Sequence, residues 1–166
     1  MRERLTARVL LLDPDGRILL MKGRLPSDPH APGAWFTVGG GVEAGETLGE
    51  AALREIREET GFCDAVVGPV LWEGEQIHRD RKGRPLRVLE RFMVARCAGG
   101  EPGRDGWQAL EREFVDDIRW WSQAELAACA ESVFPADLAQ RLAEVLAAER
   151  SAPAHDQFSD GSSAAP

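Results

Sequence analysis

Residues 39–62 read GGGVEAGETLGEAALREIREETGF, with three glycines at one end and Glu55, Glu58 and Glu59 gathered at the other, just before Gly61. If residues 47–60 form a helix, each step turns the chain by 100°. Glu59 then lies about 40° to one side of Glu55 and Glu58 about 60° to the other, while Leu48, Ala52 and Ile56 fall at about 20° to 100°. The three carboxylates thus share one narrow face that borders an apolar stripe. That placement is unfavourable twice over. Like charges three and four residues apart repel, and acids in the last turn face the negative end of the helix dipole, each effect being about 0.3 to 1 kcal/mol. Arg54 and Arg57 offset part of this. A divalent cation would offset the rest, because clustered carboxylates are hard oxygen ligands suited to Mg²⁺ or Mn²⁺. A solvated acidic face with no ligand is the reading that the glutamates alone leave equally open. Gly39, Gly40 and Gly41 tip the balance: they permit positive φ and leave backbone amides and carbonyls free to meet a metal or a phosphate. Glycines and carboxylates together describe a metal-bridged anion site.

Outward from this stretch, ARVLLLDPDGRILLMKG reads as a hairpin, with apolar runs at 9–12 and 18–21 around an Asp-Pro-Asp-Gly turn. Both runs are nearly continuous, so both faces should be covered. RLPSDPHAPGA, with three prolines, reads as a surface loop leading to a short strand at 35–38, after which the glycines form the link to the helix. Beyond Gly61, CDAVVGPVLWEGEQI and PLRVLERFMVARC read as strands joined by the tip HRDRKGR, and a glycine-rich loop, AGGEPGRDGW, precedes a strand near FVDDIRWW. Ser122 with Glu125 fits a capping box, and a last amphipathic helix spans about 136–149. Residues 151–166, rich in Ser, Ala and Pro without apolar period, are expected to be a disordered tail. Strands interleaved with about three helices predict one α/β domain over 1–150: a three-layer α/β/α sandwich around a mixed sheet.

The chain of 166 residues has a net charge of −8, which argues against a nucleic-acid duplex as partner, since that affinity comes mainly from Lys and Arg on phosphates. No apolar run approaches the roughly 20 residues of a membrane span, and the expected location is cytoplasmic. Cys63, Cys97 and Cys129 stand far apart and suggest neither zinc nor disulfides, only buried bystanders.

Gly40, five residues, Glu46, seven residues, then Arg54-Glu55-Ile56-Arg57-Glu58-Glu59-Thr60-Gly61-Phe62 matches every fixed position of the Nudix box, G-x5-E-x7-R-E-U-x-E-E-x-G-U, with U a bulky apolar residue. The chain therefore resembles Nudix hydrolases (the MutT-like family), and weaker likeness extends over about 7–146. Val38 departs from the proline that many members carry there. The resemblance implies a Nudix-type α/β/α sandwich and Mg²⁺- or Mn²⁺-dependent hydrolysis of a nucleoside diphosphate linked to another moiety. It implies Glu58 and Glu59 as main metal ligands with a carbonyl of Gly39 or Gly40, Glu55 as a further ligand or proton acceptor, Arg54 orienting the carboxylates, and Glu46 as the structural partner of Arg54. The general base lies in the box or at Glu111 or Glu113, of which Glu111 fits better. A homodimer is also expected from the likeness.

In-line attack of water on phosphorus needs charge stabilisation and a proton acceptor; metals held by the carboxylates supply the first and a carboxylate near the metal the second, without a nucleophilic side chain. Substrate contacts are expected at Gly40, Gly41, Arg91 and the aromatic face of Trp35. Arg91 sits in an apolar strand where Glu90 cannot share its face, so a phosphate or a box glutamate would pair it. Arg79, Arg81, Lys82, Arg84 and Arg87 form a basic patch that reads mainly as a solvated turn. A nucleotide-binding regulatory module without turnover is the competing reading; three repelling carboxylates kept intact count against it. An isomerase of prenyl diphosphates would need a cysteine near the glycines, and none lies there.

Overall fold

Strand β1 (Arg2–Leu12) organises the sheet, because different stretches of it pair with different neighbours. The structure is a computed structural model that describes residues 1–24 and 30–152, with only the backbone considered at Leu110. Along its whole length β1 runs parallel to β5 (Pro85–Arg96), which pairs in turn with the edge strand β4 (Val66–Arg79). On its other side, residues 6–9 of β1 run antiparallel to the end of β3 (Ala34–Gly41), and Leu12 meets Ile18 at the start of β2 (Ile18–Gly23). Strand β2 lies between β3 and β6 (Val115–Trp121), antiparallel to both, and the two-residue β7 (Val133–Phe134) runs parallel to β3. Among the described residues the sheet is therefore mixed, with seven strands.

Alternation along β1 feeds two cores. Ala7, Val9 and Leu11 pack with Leu19, Met21, Met93 and Ile118 under Ala51, Ala52 and Ile56 of α1 (Leu48–Thr60). Leu10 and Leu12 pack on the opposite face with Ile18, Leu20, Trp35, Phe92 and Trp121 under Leu126 of α3 (Gln123–Ala127) and Leu138 and Leu142 of α4 (Leu138–Ser151). Helices on both faces make the α/β/α sandwich, and the continuous apolar runs of β1 and β2 are explained by burial on both sides.

Several boundaries differ from the sequence reading. Strand β3 continues through Gly41, because β1 pairs with Gly39, Gly40 and Gly41 and so draws them into the sheet. Residues 109–114, read as loop, form a short helix, α2 (Ala109–Phe114), and α4 begins two residues later than expected, at Leu138. Only Cys97 is buried; Cys63 is exposed and Cys129 lies between, all three free. The expected loop at 25–29 and the tail at 153–166 lie outside the described residues. Among the described residues no helix is long and apolar enough to cross a membrane.

Candidate active site

The helix that carries the acids is fixed at both ends. Thr47 Oγ1 accepts from the Glu50 amide and Glu50 Oε2 accepts from the Thr47 amide, a closed capping box. At the other end Gly61 adopts φ 79°, and its N–H donates to Arg57 O at 2.9 Å, the left-handed cap that only glycine enters without strain. The last carbonyls find partners outside the helix: Gly103 N–H donates to Thr60 O at 2.7 Å and Trp107 Nε1 donates to Glu59 O at 2.7 Å. The loop 103–107 thus clamps the C-terminal turn of α1. Trp107 is 6% exposed, and its role was missed in the sequence, where only a glycine-rich loop ahead of a tryptophan hinted at it.

Arg54 holds four groups at once. Its Nε and Nη2 donate to Glu46 at 2.8 and 3.0 Å, Nη2 also donates to Gly41 O at 2.9 Å, and Nη1 reaches Glu55 at 2.8 Å and Glu58 at 3.4 Å. The Glu46–Arg54 pair implied by the family pattern is thereby formed, and its hydrogen bonds hold the Glu46 carboxyl below its ordinary range. The same acids raise Arg54 further above its already high value, with Glu46 the largest contributor. One guanidinium stitches the glycine strand, the loop before α1 and the helix face together.

The carboxylates differ in burial. Glu59 is 7% exposed, and its Oε2 accepts from Gly39 N–H at 2.9 Å. Burial, then the neighbouring Glu55, push its carboxyl well above the usual range. Burial also raises Glu55, against the pull of Arg54, with Glu58 and Glu111 adding repulsion. Glu58 sits on the rim with its side chain 37% exposed. Glu111, on α2, has an Oε2 that is buried without a hydrogen-bond partner among the described residues, and its charge is felt by both Glu55 and Glu59. Glu113 is exposed on the same short helix. The two acids left open by the sequence are therefore distinguished by where they point.

Each glycine has its own reason. A Cβ on Gly39, at φ 142°, would strike the Ala7 carbonyl, and one on Gly40 would strike the Glu55 carboxylate. Register puts Gly40, Ala7, Arg91 and Glu73 in one row across four strands. Arg91 therefore shares the face of α1, two strands from Gly40, or about 10 Å at ~4.8 Å per strand. Its partner is Glu73 at 3.1 Å, not a box glutamate. Trp35 is corrected outright: it is 3% exposed, sits on the far face of the sheet, and meets Trp121 edge-on with ring centroids 4.9 Å apart. It offers no open aromatic face. Within the basic tip Arg84 pairs with Asp80 and Arg87 with Glu3 and Glu75, whereas Arg79 donates to the Gly83 carbonyl.

A NUDIX domain pattern matches residues 2–151 of this chain. Nucleoside triphosphatase NudI of Salmonella heidelberg (strain SL476) is 48% identical over 120 residues, which cover 70% of this chain and 81% of that protein. The ADP-ribose pyrophosphatase of Methanocaldococcus jannaschii is 35% identical over 106 residues, 64% of this chain but only 58% of the relative, so the likeness spans less than two thirds of that protein. Nucleoside triphosphatase NudI of Escherichia coli O139:H28 is 50% identical over 52 residues, 36% of its length. Among solved structures, the E. coli ORF135 protein superposes with a TM-score of 0.55 at 26% identity, covering 94% of this chain and 96% of that one. The NUDIX domain of Shewanella oneidensis NrtR, solved with ADP ribose, gives a TM-score of 0.63 at 19% identity, covering 88% and 90%, a likeness of fold.

Proposed function

The chain belongs to the NUDIX family, and from that premise we propose that it hydrolyses a nucleoside diphosphate linked to another moiety, with Mg²⁺ or Mn²⁺ as cofactor. Nucleoside triphosphates come first among the substrates, because the relative that shares 48% identity over 70% of this chain is a nucleoside triphosphatase. ADP-ribose and similar nucleotide sugars come second.

The observation that carries the reading is an acid excess held largely out of water: Glu59 is buried, Glu55 is half-buried and repels it, and the nearby Glu111, with an oxygen unpartnered among the described residues, adds to that repulsion. Structural ion pairs do not require this arrangement; a hard divalent ion relieves it. Glu58 and Glu59 would hold the ion with a carbonyl from Gly39 or Gly40, and Glu55 would join them. Among the described residues no three acidic, His or Cys side chains yet surround one point at ligand spacing. Since Glu55 and Glu58 are drawn to Arg54 Nη1, binding would require one of them to turn away from it. When bound, the ion would stabilise charge on the phosphoryl oxygens during water attack on phosphorus.

The chain's own residues supply the rest. Arg54 limits how far the carboxylates can swing, and Glu46 holds Arg54 in place. Glu111 accepts the proton of the attacking water, its lone pair being unused by any other donor. Gly40 and Gly41 let the phosphate chain approach the strand backbone, and Arg91 offers a cation on the same face once Glu73 yields to a phosphate oxygen.

A product screen by mass spectrometry tests this directly. The protein is incubated with Mg²⁺ and nucleoside triphosphates, nucleotide sugars, dinucleoside polyphosphates or capped-RNA analogues, beside Glu58→Gln. Cleavage at a diphosphate that disappears in the variant is expected. Binding of a nucleotide without cleavage under Mg²⁺ or Mn²⁺ would instead make the chain a nucleotide-sensing module.

A further inference from the structure

Helix α2 has six residues, and its placement against α1 decides where Glu111 stands relative to the carboxylates. A helix that short does not hold itself in water, so its position must come from bonds outside it. Its N-cap, Gln108, makes no side-chain capping hydrogen bond, and at Val115 the chain passes straight into β6. The anchor at the N-terminal end is the residue before the cap, Trp107.

Trp107 is bonded to both helices. Its indole Nε1 donates to Glu59 O at 2.7 Å, in the last turn of α1, and its own carbonyl accepts from Arg112 Nε, on α2, at 3.0 Å. Trp107 is 6% exposed and belongs to the core that α1 covers, with the Arg104 guanidinium 4.9 Å from its ring centroid. One residue earlier, Gly106 runs so close to α1 that a Cβ there would strike the Glu58 carbonyl. The backbone of Glu58 and Glu59 is therefore in contact with the segment that leads directly into α2 and Glu111. A buried indole N–H needs an acceptor somewhere. Here the acceptor belongs to one of the site's carboxylate residues, and the second bond runs to the helix that carries the proton acceptor.

We propose that Trp107 is a positioning residue for the reaction: its two bonds fix α2 against the last turn of α1 and so set how far Glu111 stands from Glu55 and Glu59. This rests on the diphosphate-hydrolase reading above, with Glu111 as proton acceptor. Being buried, Trp107 acts through Glu111 and not on the substrate itself. The box carboxylates do not depend on it, because α1 keeps its capping box, its Gly61 cap and the bond from Gly39 N–H to Glu59. Without the indole N–H, α2 loses its tie to α1 and Glu111 shifts while the metal ligands stay. A proton acceptor works only within hydrogen-bond reach of the water, and a displacement of ~1 Å costs up to about 10²-fold in rate.

The test is a double-substitution cycle on the full chain with Mg²⁺, using the diphosphate that the product screen shows to be cleaved. The rate constants kcat and KM are measured for wild type, Trp107→Phe, Glu111→Gln and the pair, and Mn²⁺ affinity is measured beside them. Trp107→Phe keeps an aromatic ring in the core and removes the donor; it is expected to lower kcat about 10-fold, with KM and Mn²⁺ affinity within about 3-fold of wild type. In the Glu111→Gln background the same substitution should cost less than about 2-fold, since the group it positions is already gone. Gly106→Ala, which pushes the loop off α1 and leaves the indole intact, should repeat both results, and it carries the cycle if Trp107→Phe fails to fold. A kcat loss of equal size with and without Glu111, or one matched by a loss of Mn²⁺ affinity, overturns the assignment and leaves Trp107 a packing residue. Unchanged kcat in Trp107→Phe overturns it as well. Glu111→Gln as fast as wild type overturns Glu111 as proton acceptor and the role of Trp107 with it. A chain that cleaves none of the screened diphosphates overturns the hydrolase reading on which both stand.

Discussion

Two charged networks in this protein are built from the same residue types and have opposite characters. At the tip of the β4–β5 hairpin and beside it, each acid has a basic partner: Asp80 holds Arg84, and Arg87 is shared by Glu3 and Glu75. Two of these acids sit below their ordinary range, Asp80 at about 2, with the Arg84 side chain the largest cause, and Glu75 lowered by Arg87. On α1 a single Arg54 faces Glu46, Glu55 and Glu58, with Glu59 and Glu111 close by, and burial pushes Glu55 and Glu59 upward. A network that exists for stability matches its charges. One that keeps an acid excess out of water is left unbalanced within the chain, which is what the proposed cation site requires.

The largest break in this contrast should come from Glu58→Gln. If Glu58 ligates the metal as proposed, its loss is expected to lower kcat by about 10³-fold, or ~4 kcal/mol of transition-state stabilisation, in steady-state assays with Mg²⁺. The melting temperature should change little, because Glu58 is on the rim. Next in size, Glu111→Gln should lower kcat by about 10²-fold while Glu113→Gln leaves it within about 2-fold, measured on the same substrate. Equal effects of the two would remove the distinction drawn from the buried oxygen of Glu111. Arg54→Ala should cost about 2 kcal/mol of stability, read as ~6 °C in thermal unfolding, since it strands Glu46 and Glu55 and frees Gly41 O.

The smallest effect belongs to the balanced network. Asp80 is depressed in the folded chain, so its contribution to stability is complete above the ordinary aspartate value and is lost as pH falls toward about 2. Amide exchange at Lys82 and Arg84, whose N–H groups donate to Asp80 Oδ1 at 2.9 Å each, should accelerate across that window before the core opens. Arg87→Ala, at an exposed pair, should shift the melting temperature by no more than about 2 °C at pH 7.

Much of this was legible in the sequence wherever the signal is local. The helix at 48–60 is bounded by Thr47 and Gly61, residues whose side chain or backbone freedom does the bounding, and the 100° count placed Glu55, Glu58 and Glu59 on one face beside the core, though it did not foresee that Glu59 is buried while Glu58 stays on the rim. The opening turn was legible, but the hairpin expected from it closes only at Leu12 and Ile18, because residues 6–9 of β1 pair with β3 and β2 lies between β3 and β6. What escaped depends on contacts distant in the chain. The glycines read as a loop because glycine weakens strands, yet pairing with β1 overrides that preference. Strand β7 has two residues and exists only because Trp35 and Phe36 pair with it. Trp35 looked like a ligand platform because an aromatic residue near a site reads the same whether it faces in or out; only the alternation with Thr37 and Leu20 on the α4 side decides it. Arg91 needed an acid, and the sequence offered no way to find Glu73, eighteen residues earlier, until the β4–β5 register was known. Trp107 reaches Glu59 O over 48 residues, beyond any local pattern.

The central claim is that the acid excess on α1 exists to hold a divalent cation. It is tested most directly by titrating metal-free protein with Mn²⁺ and following free Mn²⁺ by electron paramagnetic resonance, for wild type and for Glu58→Gln and Glu59→Gln. Saturable binding by the wild type, weakened at least about 10-fold in each variant, is the expected result. Wild-type protein that binds no Mn²⁺, or binds it as well after either substitution, would contradict the claim and leave the glutamates as a costly but ordinary helix face.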